Sequence, residues 1–325
     1  MRAVRCLEPG PLDQLVLAEI DDPIPRPGQV LVEVVAAGVN YVDALFAQGR
    51  YQLKPPPPFT AGSEVAGRVI GHGDGVDAPA LGTEVLVSCG LGGFAELLVA
   101  PATSAVPIPA GLDLVTAAAF CQSYSTMAYT YRRRVHLEAG ERVLVLGAGG
   151  GIGLAAIDLA VAAGAEVLSV TSTEAKAEAA KAAGASVQLS ADPMTLKEAV
   201  RATAEGGVDV VIDPVGGPLS NAALRCLREG GRHAVLGFAS GEIPRLEANQ
   251  VLLRNRSVVG VDWGAWALGH GAEQHALLST LLGEVAAGQL HPAAPSTYPL
   301  DQAAQALADL EGRRVVGKVV LTTGR

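Results

Sequence analysis

Histidine and cysteine are scarce in this chain: six and four in 325 residues. Cys6, Cys89, Cys121 and Cys226 are scattered and form no C-x-x-C pair. None of His72, His136, His233, His270, His275 or His291 has a cysteine neighbour at ligand spacing. That excludes the usual zinc-ligand patterns and any disulfide framework, so the cysteines read as small buried residues and no metal site is expected. Long apolar runs with clean flanks are missing too, which argues against a transmembrane span. The opening MRAVRCLEPG lacks the apolar core of a signal peptide, so a cytoplasmic location is expected. Positive charge is in short supply, with 24 Lys and Arg against 33 Asp and Glu and a net charge of −9. Nucleic acid and anionic membranes are therefore poor partners. The local run Arg132–Arg134 reads as a solvated helix face.

What is abundant is apolar sequence, 49% of the chain, and glycine, 39 residues. This length gives two domains or one large one with ample core. The most informative stretch is Val143–Gly164, VLVLGAGGGIGLAAIDLAVAAG. Val143–Leu146 has the continuous apolar character of a buried parallel strand. Glycines follow at once, spaced Gly147-x-x-Gly150-x-x-Gly153, and an Ala-rich helical run ends at Gly164. Strand, glycine turn and helix in that order make the start of a dinucleotide-binding βαβ unit. Glycine lets the backbone approach a pyrophosphate, and the helix N-terminus offers unpaired N–H groups and a positive dipole end. No Gly-Lys-Ser/Thr follows, so a P-loop is not indicated.

The rest of the chain arranges itself around that unit. Residues 1–115 read as β-rich: Gln29–Val39, Glu64–Gly71, Thr83–Ser88 and Phe94–Ala100 are strand candidates. Prolines at 23, 25 and 27 and at 55–58 mark loops. Glycine-rich turns between short strands suggest a small irregular antiparallel barrel. Val115–Tyr131 is Ala-rich and free of proline, predicting one helix. From Arg142 strands and helices alternate: strands at Arg142–Leu146, Glu166–Val170, Ser186–Leu189, Val208–Ile212, Arg232–Leu236 and Ser257–Val261. Helices are expected at Ile152–Ala163, Glu174–Ala183, Thr195–Ala204 and Leu219–Arg228. The alternation predicts an α/β fold with a doubly wound parallel sheet. Helices near Glu273–Ala287 and Leu300–Glu311 precede a strand, Lys318–Leu321, expected to rejoin the first domain. The predicted division is 1–122 with 263–325, and 123–262.

The end of the second strand discriminates between cofactors. An NAD site usually places Asp or Glu there for the ribose hydroxyls. Here the residues are Val170-Thr171-Ser172-Thr173, whose hydroxyls suit a 2′-phosphate, with Lys176 on the next turn. NADP is favoured over NAD. Ser172 or Thr173 also fits as a plain helix cap, and Glu174 fits as an acid favoured by the helix dipole.

Several further motifs carry a resemblance. Gly38-Val39-Asn40-Tyr41-Val42-Asp43, Gly49-Arg50-Tyr51 and Phe59–Gly67 are similar to the N-terminal signature of the zinc-free quinone oxidoreductases. These are the zeta-crystallin-like branch of the medium-chain dehydrogenase/reductase superfamily. Gly92–Glu96, Ala148–Gly153, Asp213–Gly216, Gly237–Gly241 and Gly317–Leu321 resemble later family landmarks, so the likeness covers nearly the whole chain. It implies a GroES-like substrate domain beside a Rossmann domain, NADPH as hydride donor, and a homodimer. Where zinc-dependent relatives carry cysteine and Gly-His-Glu, this chain has Val39 or Asn40 and Gly62-Ser63-Glu64.

Carried over residue by residue, the resemblance implies Asn40 beside the nicotinamide, with Asp43 and Tyr51 on the substrate side. It implies Thr126 near the cofactor, Gly150, Gly151 and Ile152 at the pyrophosphate, and Gly237 and Phe238 along the cofactor. It also implies Lys176 and Arg313 at the 2′-phosphate. Ser190 stands where the family has a tyrosine, and Pro214 where it has a serine.

Hydride transfer needs a positioned acceptor and benefits from a donor at the developing oxyanion. Tyr51 is the candidate proton donor, although a pocket-wall role fits it too. Asn40 suits holding the nicotinamide or a water, and Asp43 suits either a site role or a structural acceptor. Trp263 fits a flat substrate or the core. The expected activity is NADPH-dependent quinone reduction. Reduction of activated C=C bonds in enones or an enoyl-CoA remains open, with Arg50, Lys54 and Arg68 as possible contacts to CoA. So does NADPH binding with little turnover.

Overall fold

A computed structural model describes residues 1–325. The chain divides into two compact units. The first comprises Met1–Gln122, His270–Gly288 and Ala293–Arg325; the second comprises Ser123–Gly269 and Gln289–Pro292. The second unit thus runs past the expected end at 262. One cause is visible inside it: Trp266 stacks on Tyr129, with ring centroids 4.9 Å apart, and Arg133 lies 4.8 Å from the same indole centroid. These contacts tie the helix Trp263–Gly269 to the second unit. The expected solvated face at Arg132–Arg134 is a π-helical turn, Thr130–Arg134. Trp263 is buried.

In the first unit the organising strand is Gln29–Val39. Val30, Val32 and Val34 alternate inward, and from Ala36 onward both faces are covered. It pairs antiparallel with Glu64–His72, Leu97–Pro101 and Val319–Thr322. The last pairing returns the far end of the chain to this unit. The full sheet has seven strands, continuing through Glu84–Ser88 to Ala105–Pro107, with Ser296–Pro299 at the other edge. A second sheet of three strands contains Arg2–Cys6. The core between them is valine-rich and includes Val65, Val85, Val87, Phe94, Leu307 and Leu321. This is the β-rich unit the sequence pattern predicts, and it fits the GroES-like domain that the resemblance implies.

The second unit holds a six-stranded parallel sheet. Its order is Val187–Ser190, Glu166–Thr171, Arg142–Leu146, Val208–Asp213, Leu227–Val235, Ser257–Gly260. The order reverses between Arg142–Leu146 and Val208–Asp213, so the fold is the doubly wound Rossmann type, whose ligand position is that reversal. Val143, Leu144, Val145 and Leu146 have no exposed surface, as a strand covered on both faces requires. The alternating elements fall within a few residues of their predicted positions.

One expectation fails. Val115–Tyr131 is not a single helix but Leu114–Ala118 followed by Cys121–Tyr129. A buried carboxylate is the reason. Glu64 Oε2 accepts the Gln122 backbone N–H at 2.7 Å, which stabilises a new helix start there. The short helix Tyr41–Ala47, capped by Asn40 and Asp43, is a further element the apolar pattern did not reveal.

Candidate functional site

In the second unit, candidate cofactor residues gather at the C-terminal ends of the parallel strands. The glycines there have different tasks. A methyl group on Gly153 would lie 2.5 Å from Ala148 Cα, so this glycine allows helix and strand to approach. One on Gly149 would collide with Lys176, whose Cγ would be only 2.6 Å away. Gly147 has φ +60° and would press Val215 at 2.9 Å. Gly150 differs from all three. Its φ of −94° suits any residue, and an added methyl would meet only Gly147 O, at an ordinary 3.5 Å. Nothing inside the protein requires glycine at that position. Gly150 is also the N-cap of helix Gly151–Ala162 and makes no side-chain cap, leaving the first turn, with Gly151 and Ile152, as a seat for an external anion.

Around that loop, Thr173 is the cap of the next helix: its Oγ1 accepts the Lys176 N–H at 3.4 Å. Ser172, exposed, stands just before it. Lys176 abuts the loop through Gly149. Ser190 is exposed and ends the Val187–Ser190 strand. The Asp213–Gly216 turn joins the loop through the Gly147–Val215 approach. Gly237 and Phe238 join it in turn, because Ala239 N–H and Ser240 N–H donate to Pro214 O and Val215 O. Phe238 is partly exposed. Thr126 sits mid-helix, its carbonyl accepting the Thr130 hydroxyl at 2.7 Å.

The turn is held from below. Asp213 Oδ1 accepts the N–H groups of Val215 and Gly216 at 2.9 and 2.8 Å, and Oδ2 lies 3.0 Å from His233 Nε2. Burial works to raise the Asp213 pKa, but His233 and the backbone donors outweigh it and hold the carboxyl below its usual range. Ser220 Oγ approaches the same Nε2 at 3.4 Å. A nucleophilic triad needs the two ring nitrogens to serve different partners. Here both oxygens share one nitrogen, so the trio is a scaffold.

In the first unit the candidates Asn40 and Asp43 lie within a buried polar knot. The Asn40 N–H donates to Asp43 Oδ2 at 2.8 Å, one half of a capping box that starts helix Tyr41–Ala47. The Asn40 amide donates through Nδ2 to Glu64 Oε1 at 2.8 Å and to Ser63 Oγ at 3.3 Å. Its Oδ1 accepts from Lys318 Nζ at 2.6 Å. Lys318 Nζ also donates to Glu64 Oε1 at 2.7 Å. Ser63 Oγ donates to Gln122 Oε1 at 3.0 Å. Register explains these meetings: Gly38 pairs with Glu64, and Val39 with Val319, which brings Lys318 beside Asn40. A side chain on Gly38 would collide with the Glu64 carboxylate and the Ala118 carbonyl, so glycine makes the room.

Asp43 is fully buried and its Oδ1 has no hydrogen-bond partner. Burial, with Glu64 nearby, pushes its pKa up to about 7, against the pull of the Asn40 N–H, Ser63 and Lys318. Tyr51 lies apart from this knot, its ring 4.7 Å from Phe46 in a small cluster with Phe59 and Cys6. Arg313 is exposed in the first unit, just past helix Ala303–Glu311, with a left-handed φ of +58°.

Comparison with known proteins supports the two-unit fold. Residues 26–110 match the alcohol dehydrogenase GroES-like domain, and residues 151–279 match the family described as zinc-binding dehydrogenase. A quinone oxidoreductase-like protein 2 homolog of Nematostella vectensis is 35% identical, over 91% of this chain and 82% of the relative. The chain belongs to the quinone oxidoreductase family. It is an oxidoreductase of the medium-chain dehydrogenase/reductase superfamily. A mycobacterial protein solved with NADPH superposes with a TM-score of 0.91 at 31% identity, over 99% of this chain and all of that one. The Escherichia coli quinone oxidoreductase, also solved with NADPH, gives 0.89 at 27% identity, with 99% and 100% covered.

For this family member, the word zinc in the matched description calls for a test of the donor set. Zinc takes thiolates, imidazoles and carboxylates in a tetrahedral shell. No group of three or more His, Cys, Asp or Glu side chains is arranged to hold a metal ion. At Asn40, Ser63 and Glu64 the donors are an amide, a hydroxyl and one carboxylate, and an ammonium already sits among them. The residues do not fit zinc. Sequence reasoning singled out neither Glu64 nor Lys318 as a partner. The available signal was a charge at the head of each of two apolar runs, Glu64-Val65-Ala66-Gly67 and Lys318-Val319-Val320-Leu321, because such a charge, once buried, needs a counterpart.

Proposed function

We propose that this family member is an NADPH-dependent, zinc-independent quinone reductase. The observation that carries the reading is Gly150: an unstrained glycine with no internal reason to be glycine, at the uncapped start of the helix following the first parallel strand. A pyrophosphate is the group such a seat fits, and the two relatives solved with NADPH support that dinucleotide. When bound, NADPH supplies a hydride. Gly150, Gly151 and Ile152 would hold the pyrophosphate, with Thr126, Gly237 and Phe238 along the dinucleotide. Ser172, Lys176 and Ser190 would serve the 2′-phosphate.

In this reading Asn40 orients the reacting partners through a fixed amide, while Asp43 sets the electrostatics beneath it. Tyr51 donates a proton to the oxyanion that develops on the acceptor. A quinone is electron-poor by itself and needs no Lewis acid, which suits a donor set that does not fit zinc. The protein works as a homodimer in the cytoplasm. The exposed edge strand Ser257–Gly260, with Val258 outward, supports a sheet-edge contact between copies, and four free cysteines suit a reducing compartment.

The test is the initial rate of NADPH oxidation by chelator-treated protein, with a simple para-quinone, an enone, and NADH in parallel. Quinone-dependent turnover that prefers NADPH is expected. Turnover with the enone alone would move the assignment to C=C reduction, and tight NADPH binding without turnover would leave a binding protein.

A further inference from the structure

The buried knot in the first unit contains one cation, and that cation is entirely spent on internal partners. Lys318 Nζ has three hydrogens and three acceptors: Asn40 Oδ1 at 2.6 Å, Glu64 Oε1 at 2.7 Å and Val39 O at 3.4 Å. Its side chain is 11% exposed and that of Glu64 is 1% exposed. Each remaining polar atom of the pair's neighbours is then assigned. With Oδ1 accepting, Asn40 Nδ2 must face Glu64 and Ser63, and Glu64 Oε2 is left to start the helix at Gln122.

We propose that Lys318 is a positioning residue of this site: its ammonium is the fixed cation that sets the Asn40 amide plane and holds the Glu64 carboxylate, in a donor set that does not fit a divalent metal. The amide can then be read in only one orientation, since a flipped Asn40 would place its NH2 against the ammonium and its oxygen against the carboxylate. The inference deepens the reductase reading and rests on it for what Asn40 serves. The arrangement itself is testable without turnover.

The first experiment is a double-mutant cycle on unfolding of the full chain, using Lys318→Met, Glu64→Gln and both together. Removing one member of a buried ion pair strands the other, whereas removing both does not. Each single variant is expected to raise the unfolding equilibrium constant ~100-fold or more, and the double variant far less than the product of the two. Purely multiplicative effects would overturn the proposal.

The second readout is the titration of Asp43, followed by carboxyl carbon NMR. The charged groups facing Asp43 are Lys318 and Glu64, with the Cys89 thiol also within electrostatic reach. Lys318→Met should move the Asp43 titration upward and Glu64→Gln should move it downward; no shift in either would contradict a fixed charged pair. Should the variants not fold, the unaltered protein decides. The Lys318 ammonium hydrogens should exchange slowly and give a resolved nitrogen resonance, and exchange as fast as that of surface lysines would refute the arrangement. Because these readouts use neither cofactor nor quinone, their failure is distinguishable from failure of the reductase reading. Where turnover is present, Lys318→Met should lower kcat ~10-fold or more, as loss of an orienting partner does for metal ligands. Cofactor Kd should hardly change, and Lys318→Arg should recover part of the rate.

Discussion

The two units make their polar groups available in opposite ways. Around Asn40 the polar atoms satisfy one another: amide, carboxylate, hydroxyl and ammonium close into a buried set, with only Asp43 Oδ1 left over. Around Gly150 the polar atoms are backbone N–H groups at a helix start with no side chain to receive them. The first arrangement is built to hold itself still, and the second to receive something. A substitution should therefore damage the fold in the knot but binding in the loop, and within the loop the glycines should separate into the same two kinds.

The largest effect expected on these terms is at Gly153. A methyl there lies 2.5 Å from both Ala148 Cα and Gly147 O, which are backbone and cannot yield cheaply. Gly153→Ala should cost about 3 kcal/mol or more in urea unfolding. An unchanged midpoint would remove the packing role assigned to Gly153 and with it half of the contrast.

Two carboxylates of the first unit sharpen the comparison through pH. Glu96 accepts from the Arg2 N–H at 2.7 Å, from Arg2 Nε at 2.8 Å and from Arg325 Nη2 at 3.1 Å, joining the two ends of the chain. Burial opposes ionisation, but these donors outweigh it and lower its pKa to about 2. A depressed folded-state pKa gives stability that is present above the unfolded value, near 4.5, and lost as pH falls toward about 2. Relative to Glu96→Gln, the native protein should lose about 3 kcal/mol across that window.

Asp43 has the opposite sign. Its folded pKa of about 7 lies above the ordinary 3.8, so its contribution is full below about 4 and fades as pH rises through 7. Asp43→Asn keeps an acceptor for the Asn40 N–H and should gain stability steadily on the native protein as pH rises from about 4 to about 7. Parallel stability curves for the two proteins would contradict a neutral buried carboxyl. The smallest effect is expected at Thr173→Ala, about 1 kcal/mol from the lost helix cap.

The same contrast explains what the sequence reveals. The cofactor loop is local: Val143–Gly164 holds strand, turn and helix in one run of residues, so the amino-acid order alone displays its role. The sheet order follows from the alternation around it. The polar knot is not local, since Asn40, Glu64, Gln122 and Lys318 are brought together by strand register and by a carboxylate that interrupts a helix. No periodicity in an amino-acid string carries that register. For the same reason Val115–Tyr131 reads as one helix until Glu64 is seen to start a second. The sequence also leaves the tasks of the four loop glycines undivided, because only their surroundings separate Gly150 from Gly147, Gly149 and Gly153.

The central claim is that the Gly150 position is kept open for a dinucleotide. The most direct measurement is a fluorescence titration of NADPH against the native protein and Gly150→Ala, with thermal unfolding of both. The added methyl fits the unliganded loop, so Tm should hold or rise slightly, while the NADPH Kd rises ~10-fold or more as the backbone can no longer close on the pyrophosphate. An unchanged Kd, or a weakened one accompanied by a marked fall in Tm, would contradict the account.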